Sequence, residues 1–151
     1  MAILVTVPCG KRKIWDIDPE AGPTPAREVY QGVPFKINRE YAEKFADQWF
    51  ILSAKYGFIE PDFVIPENYN VTFDDPESNP ISLAELQAQV RDKGLDRFDL
   101  TVALGSTTYA ETVRNSFAGT RVTVIAPTAG LPIGRAIGQV RRAIDENRPW
   151  R

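Results

Sequence analysis

The apolar residues of this chain gather into short runs at residues 2–7, 49–52, 100–104 and 121–125, rich in branched side chains and too short for helices. The runs read as continuous rather than alternating. A strand with polar residues at every second position leaves one face in water, whereas a continuous run has both faces covered, as in a parallel sheet between helices. Helical spacing falls between the runs. Tyr41 and Phe45 of the segment 38–47 stand four apart, with Trp49 four residues further on, and Leu83, Leu86 and Val90 recur at three and four in the segment 82–93. Ser82 with Glu85 three residues on predicts a capping box, and Gly94 a stop. Residues 107–117 and 133–146 complete the helices, the latter with Ile133, Ile137, Val140 and Ile144 on one face. The pattern predicts an α/β fold: a three-layer sandwich around a Rossmann-like, mostly parallel sheet of about four to five strands, with residues 1–151 as one domain. Residues 60–80, rich in Pro, Asp and Asn, read as a long loop with a small strand at 70–73, and residues 146–151 as a fraying tail.

Composition narrows the chemistry. At 151 residues the chain is long enough to bury a core without disulfides or metal. Its single cysteine forbids an internal disulfide, and it shows neither a charged-then-apolar leader nor a long apolar run, so the cytoplasm is expected and no membrane partner. The absence of histidine removes Ser-His-Asp and Cys-His pairs and HExxH zinc sites, and no metal site is expected. A net charge of −2 attracts nucleic acid only through a local basic patch, and Lys11-Arg12-Lys13 is the one dense cluster. Nothing in the sequence requires a bound cofactor, although a nucleotide cosubstrate fits the reading below.

Each predicted strand runs into a polar or glycine-bearing phrase: residues 8–13 (Pro-Cys-Gly-Lys-Arg-Lys), 53–57 (Ser-Ala-Lys-Tyr-Gly), 105–109 (Gly-Ser-Thr-Thr-Tyr) and 127–132 (Pro-Thr-Ala-Gly-Leu-Pro). In an open parallel sheet all of these share the edge where ligands bind. Ser106 can cap the following helix, and with Gly105 ahead of it free N–H groups would face an anion or carbonyl. The spacing is that of neither a P-loop nor a dinucleotide fingerprint. Gly130 permits close backbone approach, as turn or as ligand contact.

Two readings stay open at most of these positions. Cys9, beside Lys11, Arg12 and Lys13, is a nucleophile or a buried inert thiol. Lys13 and Lys55 act as base or nucleophile, or hold an anion. Glu60 and Asp62 supply the acid–base chemistry that histidine cannot, or form a solvated turn around Pro61. Gly10, Arg12, Ser53, Tyr56, Gly57, Gly105, Ser106, Tyr109 and Gly130 are candidate substrate-binding positions, Tyr56 and Tyr109 as stacking surfaces. Tyr69, Phe58 and Trp15 suit stacking or a core equally. Asp16, Asp18, Glu20, Asp74 and Asp75 read as solvated loop charges.

At these phrases the sequence resembles an uncharacterised family of bacterial and phage domains of unknown function, the DUF6884 type. Its marks are Cys-Gly-x-x-Lys after the first strand (Cys9, Gly10, Lys13) and Ser-Ala-Lys-Tyr-Gly-Phe/Leu-Ile followed by Pro-Asp (residues 53–59, Pro61, Asp62). The likeness extends to Tyr30, Gly32, Gly130, Leu131 and Gly134 and implies a fold and a site. The first phrase also resembles the archaeosine synthase domain, a relative of tRNA-guanine transglycosylases, in Pro8, Cys9 and Lys13. Ile14, Trp15, Asp18 and Ala21 stand where that signature has Pro, Tyr, Ser and His. That likeness implies a related loop and a modified-base or nucleotide substrate.

The expectation is therefore an enzyme acting on a nucleobase, nucleotide or modified base in nucleic acid, by transferase or N-glycosidic-bond chemistry. Arg12 and Lys13 hold a phosphate or carbonyl, Cys9 or Lys55 is nucleophile or base, and Glu60 or Asp62 moves the proton. The alternatives are a nucleotide- or anion-binding module without turnover, and a small partner-binding protein that uses the 60–80 loop. The first two both require Cys9, Lys13, Lys55 and Ser106 to share a cavity.

Overall fold

A computed structural model describes residues 1–151. Its centre is a five-stranded sheet of β1 (Ile3–Pro8), β3 (Gln48–Ser53), β4 (Gly57–Ile59), β6 (Leu100–Ala103) and β7 (Thr123–Ile125), ordered β4-β3-β1-β6-β7. All neighbours are parallel except β3 and β4. Alternation along the strands explains the continuous apolar runs. Ile3, Val5 and Val7 of β1 join Ile51, Leu100 and Val102 in one core cluster, while Leu4, Phe50, Leu52 and Ala103 point into a second on the opposite face.

Helices α3 (Val33–Phe45) and α6 (Ile133–Asp145) pack together over the first cluster, and α4 (Leu83–Asp92) and α5 (Thr107–Ser116) over the second. Ser82 caps α4 by accepting from the Glu85 N–H, as its position predicts. The α3 segment is longer than its periodicity suggested. It starts at Val33, with Pro34 in its first turn where a missing N–H costs nothing, and ends before Trp49, which lies in β3.

Elements too short to carry a period complete the fold: α1 (Ile14–Ile17), α2 (Ala26–Val29), and an antiparallel pair of β2 (Thr24–Pro25) and β5 (Val64–Ile65). Residues 70–73 form no strand. Instead the 60–80 segment is fastened by Ile65 and Tyr69, both buried, and carries a 3-10 turn at Pro76–Ser78. The tail is docked, since the Trp150 N–H donates to the Tyr41 hydroxyl at 2.9 Å and the two rings lie 5.1 Å apart. No helix is long and apolar enough to cross a membrane.

The strand order places a crevice. After β1 the chain adds β3 on one side, then crosses to add β6 on the other, so the loops leaving β1 and β6 diverge and open a crevice at their carboxyl ends.

Candidate functional site

Two cavities meet at that crevice. The first, about 430 Å³, runs between the β1 and β6 ends and the N-terminal halves of α3 and α6; Pro34, Leu131, Ile137 and Val140 give it apolar walls. The second, about 500 Å³, lies under the 60–80 segment and is lined by Lys11, Lys13, Tyr69, Asn70, Thr72 and Asp74. Cys9, Gly10 and Tyr109 line both. The Cys9 thiol, partly exposed, sits 3.2 Å from the Tyr109 hydroxyl at this junction.

Local structure fixes the walls. The Cys9 N–H donates to the Leu52 carbonyl and the Leu104 N–H to that of Thr6, so both strand ends are held in register to their last residue. Gly105 then turns away at φ +112°, where a Cβ would stand 2.7 Å from Pro8 Cγ. Only glycine lets the two loops approach so closely. Ser106 starts α5 without a side-chain cap bond, which leaves the helix's first N–H groups free at the cavity wall.

Lys13 is the most unusual group in the basic cavity. It is 5% exposed, its Nζ donates to the Lys11 carbonyl at 3.2 Å and lies 4.6 Å from the centroid of the Tyr69 ring, and no carboxylate pairs with it. Burial pushes its pKa below the ordinary lysine value, against the opposing pull of Cys9 and Asp16. The Asp16 carboxylate is engaged elsewhere, accepting from the Lys13 backbone N–H at 2.8 Å. Tyr69 is held in turn by a buried hydroxyl chain to Tyr30 and, at 2.9 Å, to Ser53. Burial raises the pKa values of Tyr30, Tyr69 and Tyr109, with the neighbouring Cys9 adding to each, so all three remain neutral phenols at pH 7.

The model of a family of unknown function, DUF6884, matches residues 4–142, a span that holds every residue named above as lining the two cavities. The chain belongs to this family. It is also 36% identical over 147 residues to the uncharacterized protein YfjM of Bacillus subtilis strain 168, a match covering 97% of each chain. No solved structure matches it. Membership of DUF6884 agrees with the motif resemblance and leaves the chemistry to the geometry.

The geometry keeps part of the expected site and removes part. Cys9 shares one cavity with Gly10, Gly105, Ser106 and Tyr109, and the other with Gly10, Lys13 and Tyr109. Lys55 lines neither; it is exposed beside Ser78 and Glu85, its Nζ 5.2 Å from the Tyr56 ring centroid. The requirement that Cys9, Lys13, Lys55 and Ser106 share one cavity is therefore not met: Ser106 lines the first cavity and Lys13 the second, Cys9 alone of the four lines both, and Lys55 lines neither. The enzyme and binding-module readings thus fail in the single-cavity form first stated. Asp62 is an exposed partner of Arg27, and Glu60 is exposed and faces Lys93; neither lines either cavity. Arg12 is exposed at the rim, where its carbonyl accepts from Gln31. Gly130 is exposed at φ +82° between Thr128 and Leu131, which line the apolar cavity where Gly130 itself does not.

The 53–57 phrase is a turn rather than a ligand loop. It joins β3 to the antiparallel edge strand β4, and the fully buried Ser53 Oγ accepts from the Lys55 and Tyr56 N–H groups. Gly57, at φ +79°, leaves room for Gln89, whose Oε1 accepts from the Phe58 N–H and whose Nε2 donates to the Tyr56 carbonyl. The Tyr56 ring packs on Phe63 and Tyr69 and is not free to stack on a ligand in either cavity.

Two polar residues of the apolar cavity were not singled out from the sequence. Thr128, 2% exposed and part of the 127–132 phrase, ties the loop after β7 to the loop after β6 through Gly105. Asn38 lines the apolar cavity from α3, and starting that helix at 38 hid its position; a start at Pro34 shows a polar residue on the buried face, between Pro34 and Tyr41. No group of three or more His, Cys, Asp or Glu side chains converges to hold a metal.

Proposed function

We propose, in place of the single shared cavity that the chain does not have, that a nucleotide-like molecule spans the two adjoining cavities without Lys55, with its anionic group at Lys13 and its ring in the apolar cavity, and that the protein acts on this ligand at Cys9. The observation that carries this reading is the buried Lys13 ammonium with no carboxylate partner. An unpaired cation away from water is costly, and a bound phosphate removes that cost through a charge-assisted hydrogen bond. Lys11 and Arg12, exposed beside the basic cavity, suit the remaining charge, whether the nucleotide is free or part of a nucleic acid.

Cys9 stands between the anion and the ring, where the sugar-to-base bond of such a ligand would lie, and it is the chain's only thiol. Transferase or N-glycosidic-bond chemistry at that bond is the enzymatic form of the proposal. Binding without turnover is the second form, and Cys9→Ser separates the two. Calorimetry with a panel of nucleoside 5′-monophosphates and free bases tests the shared claim. At least one ligand binds the wild type, and Lys13→Met weakens it by about tenfold or more, the worth of one charge-assisted hydrogen bond. Cys9→Ser keeps the affinity and, if the protein is an enzyme, loses turnover. Equal binding by wild type and Lys13→Met would remove the phosphate from the basic cavity.

A further inference from the structure

Asn38 is 7% exposed, lines the apolar cavity, and its side-chain amide makes no hydrogen bond to any other group of the protein. The amide is not sealed in the core: it opens into the cavity with its hydrogen-bonding capacity uncommitted, within reach of a ligand. Asn38 lies one turn along α3 from Pro34, which lines the same cavity, and the free N–H groups at the start of α5 stand at the wall formed by Gly105 and Ser106. Free backbone donors and an uncommitted amide thus border one largely apolar space of about 430 Å³, within the size range of small-molecule sites.

We propose that this cavity is a base pocket in which the Asn38 amide reads an adjacent donor and acceptor on the edge of a planar heterocycle, making Asn38 the residue that sets base specificity. The proposal rests on the nucleotide reading above and deepens it. A side-chain amide offers one donor face and one acceptor face side by side, the complement of a lactam or amidine edge. An aliphatic chain in the same cavity would bury the amide without a partner, and so would a ring lacking polar edges. The α5 N–H groups suit a carbonyl oxygen of the ring.

The test uses the whole protein and three variants, Asn38→Leu, Asn38→Asp and Asn38→Ala, with calorimetry against nucleoside 5′-monophosphates of different bases and against ribose 5-phosphate as the base-free control. The wild type is expected to prefer some bases over others and to bind the best of them more tightly than ribose 5-phosphate. Asn38→Leu should cut that affinity by about ten- to a hundredfold, the worth of a bidentate contact, and flatten the preference. Asn38→Asp, which keeps the shape and loses the donors, should change the order of preference. Ribose 5-phosphate binding should stay as in the wild type for all three variants.

Thermal unfolding separates a reading residue from a structural one. Because the amide has no partner, Asn38→Leu should leave the Tm of the free protein unchanged or raised, and Asn38→Ala serves if the leucine variant does not fold. Unchanged base preference in the variants, or a lowered Tm with unchanged affinity, overturns the role of Asn38 while leaving the anion site standing. Failure of the wild type to bind either nucleotides or ribose 5-phosphate overturns the nucleotide reading, and this inference with it.

Discussion

Replacing Gly57 by alanine tests whether the Ser-Ala-Lys-Tyr-Gly phrase serves the fold or the ligand. The new Cβ would stand 2.2 Å from Gln89 Oε1 and 2.8 Å from Gln89 Nε2, so the Gln89 amide must leave. Its departure breaks the bond from the Phe58 N–H at 2.8 Å and the bond to the Tyr56 carbonyl at 3.0 Å, each worth about 1 kcal/mol. Holding alanine at φ +79° adds about 1–2 kcal/mol of backbone strain. The sum is about 3–4 kcal/mol of lost stability, read by equilibrium urea unfolding. Gln89→Ala alone removes the two hydrogen bonds without the strain and should cost about 2 kcal/mol. In the double variant the hydrogen bonds can be lost only once, so it should cost about 3–4 kcal/mol and fall short of the two singles added together by about 2 kcal/mol. Nucleotide affinity should be that of the wild type in every variant still folded at the assay temperature. A Gly57→Ala protein as stable as the wild type but weakened in binding would refute the reasoning and return the phrase to the site.

Other outcomes follow from the same geometry. Lys13→Met should leave the protein as stable as the wild type or more stable near pH 7, because it removes a buried unpaired ammonium. The folded-state pKa of Lys13 lies below its unfolded value of 10.5, so between the two the unfolded chain binds more protons and wild-type stability rises with pH; the advantage of Lys13→Met should shrink as pH climbs toward 10.5 in paired urea titrations. Tyr69→Phe leaves the buried Tyr30 and Ser53 hydroxyls short of a partner and should cost about 1–3 kcal/mol by urea unfolding. Asp62→Asn breaks only an exposed pair with Arg27, so stability should change by less than about 1 kcal/mol and binding not at all; loss of turnover in that variant would restore Asp62 to the chemistry.

The strands of the parallel sheet were legible because both of their faces are buried, which writes them as unbroken apolar runs. The three-residue β4 and the two-residue β2 and β5 were not, since no period can show itself over so few positions. The ends of β1 and β6 do border one cavity, as parallel strands of one sheet direct their following loops to the same edge, although the strand order that parts these two loops was not legible. The 53–57 phrase misled because turns and ligand loops draw on the same residues. Ser53 and Gly57 are there to close a hairpin around Gln89, a partner distant in sequence that no local pattern reveals. Asn38 was missed through a helix start placed too late, and the Trp150 tail through a contact with Tyr41 made across more than a hundred residues.

The central claim, that a nucleotide-like ligand lies across Cys9 with its anion on Lys13, is tested most directly at the thiol itself. Cys9 is the only cysteine and is partly exposed, so its reaction with a chromogenic disulfide reagent reports on this one position. The rate should fall several-fold when the wild type is saturated with its best nucleoside monophosphate, and the same concentration should give Lys13→Met little protection. A reaction rate in the wild type that no nucleotide alters would contradict the account.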